Sequence, residues 1–158
     1  MGLQLQHQPA NEYFMLSLRI LHVEDDPDDA FFLSRAIKGT HLNCEIHLET
    51  NGEGAINYLR HATDGNISNQ QAIPELMILD LKLPRLTGFE VLTWTRNQPE
   101  FKTLPIIVLS GSSLAEDQTR AAGLGASEFI VKHGDYDSIA QQIIQFISKN
   151  ALPGPTAA

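Results

Sequence analysis

The feature that most constrains this chain is an alternation. Five short apolar runs, Leu18–Val23, Cys44–Leu48, Leu76–Leu79, Ile106–Leu109 and Phe129–Val131, are each followed by a stretch with helical periodicity. The runs are rich in Ile, Val and Leu and nearly continuous, the pattern of strands covered on both faces. Strands alternating with helices imply βαβ units and an all-parallel sheet with helices on both sides. The expected fold is therefore α/β, a doubly wound five-stranded parallel sheet.

The intervening stretches read as helices with recognisable ends. Pro27 suits a first helical turn, where its missing N–H costs nothing. Ala30, Leu33 and Ile37 then recur at i, i+3 and i+7, and the pattern ends near Gly39. Gly52–Arg60 and Gly88–Asn97 give a second and a third helix. Leu114–Ala122 gives a fourth, closed by Gly123 and Gly125. Tyr136–Lys149 gives a fifth, with more apolar residues than one buried stripe needs, which predicts an additional contact surface. A long polar loop, His61–Ile73, precedes the third run. Residues 1–16 are expected to form an N-terminal arm, 17–150 one domain and 151–158 a flexible tail.

Composition removes several classes. A net charge of −8 and a pI near 5.1 argue against binding to nucleic acid or to an anionic membrane surface. The lone cysteine, Cys44, allows no intrachain disulfide and reads as an inert buried thiol. No apolar segment reaches the ~18 residues that span a bilayer. The N-terminus lacks a basic start and an apolar core segment, so a cytoplasmic location is expected.

In open sheets of this kind, sites lie beyond the carboxyl ends of the strands. After the first run come Glu24, Asp25 and Asp26; after the third, Asp80 in ILDLKLP; after the fourth, Ser110 in IVLSGSS; after the fifth, Lys132 in FIVKHG. The stretch HVEDDPDDAF packs five acids between Glu24 and Asp29. Such crowding is unfavourable unless positive charge sits among the acids. Lys132 supplies one such charge, and an oxygen-only donor set suits a hard divalent ion such as Mg²⁺. Asp28 and Asp29 are read as acids favouring a helix dipole, and Asp26 as peripheral. His22, between Leu21 and Val23, is read as a core histidine. Trp94 and Phe89 are read as core or partner surface.

This set, in this order, resembles the receiver domain of two-component response regulators, across Leu18 to about Asn150. The D-x-x-L-P-x-x-x-G stretch, here Asp80, Leu83-Pro84 and Gly88, is part of the resemblance. The interval from Asp25 to Asp80 is longer than the family's, and the loop His61–Ile73 absorbs the excess. That loop and the D-L-x-L-P-R stretch from Asp80 to Arg85 are similar to small regulators paired with bacterial and cyanobacterial phytochrome kinases. The resemblance implies a flavodoxin-like strand order of 2-1-3-4-5. It implies that Asp80 accepts a phosphoryl group from a partner histidine kinase. Mg²⁺ would be held by Asp25, Asp80 and the backbone carbonyl of Lys82, with Glu24 acting through water. Lys132 would pair with the phosphoryl group, and Ser110 and Phe129 would form the switch. Output would pass through protein contacts, by onward phosphotransfer or effector docking. A homodimer would form through the fourth helix, fifth strand and fifth helix. His133 stands where the family usually has a proline, so the Lys132–His133 bond is expected to be trans.

Three alternatives compete. A haloacid-dehalogenase-like phosphatase also uses a strand-end aspartate, but it wants a second acid two positions later, where this chain has Lys82. A flavin or nucleotide module would need a glycine-rich phosphate loop, and none follows the first run. A receiver that is not phosphorylated would not need all the key positions filled.

Overall fold

The computed structural model describes residues 17–65 and 72–152. Within them, five parallel strands form one sheet in the order β2-β1-β3-β4-β5. The strands are β1 Leu18–Val23, β2 Cys44–Glu49, β3 Leu76–Leu79, β4 Ile106–Ser110 and β5 Glu128–Val131. The helices are α1 Pro27–Gly39, α2 Gly52–Thr63, α3 Gly88–Asn97, α4 Ala115–Gly123 and α5 Tyr136–Lys149. The expected fold class, strand order and alternation of strands with helices all hold.

Period-two alternation on β1 sends its residues to two different cores. Leu18 and Ile20 join Leu33 and Ile37 of α1 and Ile139 and Ile143 of α5. Leu21 and Val23 join Leu59 of α2 and Val91 and Leu92 of α3. β3 and β4 are buried throughout, as central strands covered on both faces should be. β2 is an edge strand and half its residues, Glu45, His47 and Leu48, are exposed. Cys44 on that edge is therefore half-buried rather than buried, and burial still raises its thiol pKa.

Several local details differ from the sequence reading. α2 continues past Arg60 to Thr63, because the polar residues there still satisfy helical hydrogen bonding on a solvated face. A short 3₁₀ turn at Pro99–Phe101 inserts the buried Phe101 ring beneath α3. The apolar wealth of α5 is consumed within the chain. Ile139, Ile143, Phe146 and Ile147 are buried, and Tyr136 and Ile144 pack against the same cluster. Helix composition therefore gives no argument for an extra surface. Leu152, assigned to the tail, also packs there. The arm at 1–16, the part of the polar loop at 66–71 and the tail at 153–158 lie outside the described residues. No cis peptide occurs among the described residues, so Lys132–His133 is trans as expected.

Candidate functional site

The ladder continues one residue past the strands and so fixes where the site residues leave the sheet. Glu24 N donates to Glu49 O at 3.0 Å, Asp80 N to Val23 O at 3.1 Å and Lys132 N to Ser110 O at 2.8 Å. Because β1 lies beside β3, with Val23 opposite Leu79, the first-strand acids and Asp80 emerge as neighbours. One carboxylate oxygen from each of Glu24, Asp25 and Asp80 lies within 4.8 Å of the others. Asp26 caps α1, accepting from the N–H groups of Asp28 and Asp29, which makes it structural. Glu24 Oε1 accepts from Asp26 N at 3.1 Å. Asp80 Oδ1 accepts from Lys82 N at 3.3 Å. The loop after Asp80 folds back tightly: Gly88 N donates to Leu81 O at 3.0 Å. A Cβ on Gly88 would sit 2.1 Å from Asp80 O, which explains the glycine of the D-x-x-L-P-x-x-x-G stretch.

Lys132 closes the pocket. Its Nζ lies 2.5 Å from Glu24 Oε2, 3.0 Å from Asp29 Oδ2 and 3.5 Å from Asp80 Oδ2. Burial pushes the Glu24 carboxyl up to about 7. The lysine hydrogen bond opposes that, and the Asp80 charge adds to it. Burial pulls the Lys132 ammonium down, but its bond to Glu24 and the charges of Asp80 and Asp29 outweigh this and hold it above its ordinary range. The two directions pull against each other across one ion pair. They are reconciled by charge balance: one lysine faces three acids and stays charged, while the most buried acid bears the desolvation cost.

Ser110 is fully buried at the end of β4, its Oγ accepting from Ser112 N at 3.3 Å. Ser112 in turn donates to Asp117 on α4. Phe129 is half-buried against Leu81, Val108 and Ala121. Phe89 lies under the Arg120 guanidinium at 4.0 Å and Trp94 under Arg60 at 5.3 Å, so both rings cap the core edge. His22 is buried, and burial, then the Lys132 charge, lowers its pKa to about 4. The structure thus brings Glu24, Asp25, Asp80 and Lys132 together, with Ser110 on the adjoining strand end.

Asp29 is more than a helix-dipole acid. It reaches Lys132, and its other oxygen accepts from the Tyr136 hydroxyl. Burial raises its carboxyl, but Tyr136 and Lys132 outweigh that and lower it. Tyr136 is raised, by burial and then by Asp29. The packing of α1 on α5 makes this contact across 107 positions of sequence, and no local pattern announces it.

The response regulator receiver domain model matches residues 20–144. The chain belongs to that family. It is 29% identical to response regulator Rcp1 of Synechocystis sp. over 113 residues, 72% of this chain and 75% of Rcp1. It is 26% identical to the probable methanogenesis regulatory protein FilR2 of Methanothrix harundinacea over 140 residues, 86% of this chain and 88% of FilR2. Among solved structures, the phosphorylated cyanobacterial phytochrome response regulator RcpA superposes with a TM-score of 0.74 at 27% identity, covering 89% of this chain and 99% of RcpA. The Mn²⁺-bound form of Rcp1 superposes with a TM-score of 0.71 at 26% identity, covering 89% and 97%. Other relatives are larger: the chain spans 23% of a probable cyclic di-GMP phosphodiesterase of Vibrio cholerae and 37% of the regulator PhoB of Rhizobium meliloti. Receiver membership takes precedence over the dehalogenase-like phosphatase and the nucleotide module. Receivers of this family accept phosphoryl groups in two-component signalling. No helix among the described residues is long and apolar enough to cross a membrane.

Proposed function

We propose that this protein is a cytoplasmic response regulator that accepts a phosphoryl group on Asp80 from a sensor histidine kinase and signals through protein contacts. The observation that carries the reading is the convergence of Glu24, Asp25, Asp80 and Lys132 at one sheet edge. An Asp80 carboxylate oxygen attacks the phosphorus of a phosphohistidine. The P–N bond breaks, the imidazole leaves with the electron pair, and an acyl phosphate forms on Asp80. Lys132 pairs with the phosphoryl oxygens. The all-oxygen donor set fits a hard cation, with Asp25, Asp80 and the Lys82 carbonyl as ligands and Glu24 acting through water. Bound Mg²⁺ would supply charge that lets two anions approach. Ser110 and Phe129, on adjacent strands β4 and β5, are the switch residues in this reading.

The likeness to RcpA and Rcp1 supports a phytochrome-type kinase as donor. The receiver resemblance supports a homodimer through α4, β5 and α5; sedimentation as a monomer at high concentration, with and without a phosphoryl analogue, overturns that assembly. The acceptor role is tested by intact mass after incubation with acetyl phosphate and Mg²⁺. One phosphoryl group per chain is expected, absent in Asp80→Asn and absent with chelator. Undiminished labelling of Asp80→Asn overturns the assignment, and continuous release of phosphate from monoesters points to a phosphatase instead.

A further inference from the structure

Lys132 is held by one acid more than phosphoryl acceptance on Asp80 calls for. The carboxylates of Glu24 and Asp80 are 1% and 8% exposed, whereas that of Asp29 is 32% exposed, so the ammonium spans the pocket floor and its rim. Asp29 comes from the first turn of α1 and Tyr136 from the first position of α5. The Tyr136 ring stacks on Phe32 with centroids 5.8 Å apart, which fixes the hydroxyl that donates to Asp29.

We propose that Asp29 and Tyr136 are positioning residues for phosphoryl transfer, acting as a chain in which Tyr136 orients Asp29 and Asp29 holds the Lys132 ammonium at the rim. The proposal rests on the acceptor role of Asp80. A lysine stem is flexible and its ammonium is a rotatable point charge, so placement has to come from its partners. With Glu24 and Asp80 alone, the ammonium would be drawn inward. A rim acid holds it where an incoming phosphoryl group first meets the pocket. That acid needs its own anchor, because a part-exposed carboxylate with no second partner is free to rotate. Tyr136 provides the anchor.

The geometry also ranks the contacts to Glu24 and Asp29, the two acids that are not themselves modified. An ammonium has three donors, and here they face Glu24, Asp29 and Asp80. When acetyl phosphate reacts, an Asp80 oxygen bonds to phosphorus, the P–O bond to the acetyl group breaks, and acetate leaves with the electron pair. Lys132 then needs a donor for the new phosphoryl oxygens. The Asp29 contact is the cheaper to surrender, since Asp29 keeps Tyr136 and gains water, whereas Glu24 would keep only the Asp26 N–H on Oε1 and leave Oε2 buried without a partner.

The test measures the rate of phosphorylation by acetyl phosphate with Mg²⁺ in Asp29→Ala, Asp29→Asn and Tyr136→Phe, each also combined with Lys132→Ala. Asp29→Ala and Tyr136→Phe are expected to slow the reaction roughly three- to tenfold, less than the ~100-fold of a 1 Å misplacement because Glu24 and Asp80 still hold the ammonium. Asp29→Asn, which keeps an acceptor oxygen, recovers part of the rate. Asp29→Ala with Tyr136→Phe is no slower than Asp29→Ala alone, and neither change has any effect once Lys132 is alanine. A second readout needs no phosphorylation: in ¹⁵N-lysine-labelled protein the Lys132 ammonium gives a sharp, exchange-protected resonance that broadens in Asp29→Ala and Tyr136→Phe. Wild-type rates in the single variants, losses that persist in Lys132→Ala, or an unchanged ammonium resonance would overturn the proposal. If the wild-type protein takes up no phosphoryl group, the acceptor role fails, and the ammonium resonance alone decides whether the chain holds the lysine.

Discussion

Replacing Gly88 with alanine tests how closely the fold and the site are joined. The added Cβ would lie 2.1 Å from Asp80 O, 2.7 Å from Leu81 Cα and 2.9 Å from Asp80 C. All three are backbone atoms, so no side chain can swing aside, and the loop after β3 must move by roughly 1 Å to restore ordinary contact. Overpacking of this kind costs about 1–3 kcal/mol, with larger values where backbone is displaced. Alanine at a helical position returns at most about 1 kcal/mol. The net expectation is a loss of about 2 kcal/mol, or roughly 4–8 °C in Tm for a chain of this size. Gly39 is the internal control, because nothing lies within 4 Å of its Cβ position at the end of α1. Gly39→Ala should stabilise by up to about 1 kcal/mol. Urea unfolding of both variants, with the slope m checked for constancy, gives the difference directly. The displaced backbone is that of Asp80, so Gly88→Ala should also be phosphorylated more slowly. Equal stability of Gly88→Ala and wild type would refute the steric reasoning.

Three further perturbations follow from the geometry. Arg96 donates from Nε and Nη2 to Gly125 O at 2.9 and 2.8 Å and from Nη1 to Phe101 O at 2.9 Å; Arg96→Ala should cost about 2–3 kcal/mol by urea unfolding, and Arg96→Lys should recover little because a point charge cannot fork. Asp80→Asn removes a like charge beside Glu24, so in chelator it should unfold about 1 kcal/mol later than wild type, and a divalent cation should stabilise wild type far more than the variant; a less stable variant contradicts the repulsion. Burial, then the Lys132 charge, holds the pKa of His22 in the folded protein at about 4, below its ordinary 6.5. The neutral ring is favoured by folding, so its contribution is full above about 6.5 and is lost as pH falls towards 4, on the order of 3 kcal/mol in all. His22→Gln should flatten the stability curve in that window, and an unchanged curve refutes the buried-histidine account.

The sequence was most legible where burial is two-sided. β1, β3, α3 and α5 follow the apolar runs to the residue, because central strands and their covering helices bury whatever side chain points inward. The strand-end rule then places Asp80, Ser110 and Lys132 without any knowledge of contacts. Legibility failed where a residue's environment comes from a distant element. Asp29 looks like any acid in a first helical turn until α5 brings Tyr136 beside it. The apolar richness of α5 looked like an unpartnered surface because composition does not say how wide a groove the sheet and α1 offer. Phe101 was missed because a turn this short leaves no periodic trace.

The bond from Lys132 to Glu24 joins residues 108 positions apart, and that separation has a consequence for biosynthesis. Chains are made from the N-terminus, and β1, the second strand in the sheet order, emerges before the other four strands of the sheet. Its neighbours β2 and β3 follow, and a partial sheet can assemble around it. Throughout that interval Glu24 and, later, Asp80 stand together without the cation that neutralises them. The nascent sheet is therefore charge-frustrated at one end until β5 docks. A ribosome-bound chain arrested before Lys132 should remain sensitive to protease at the β1–α1 junction, and addition of divalent cation should protect it.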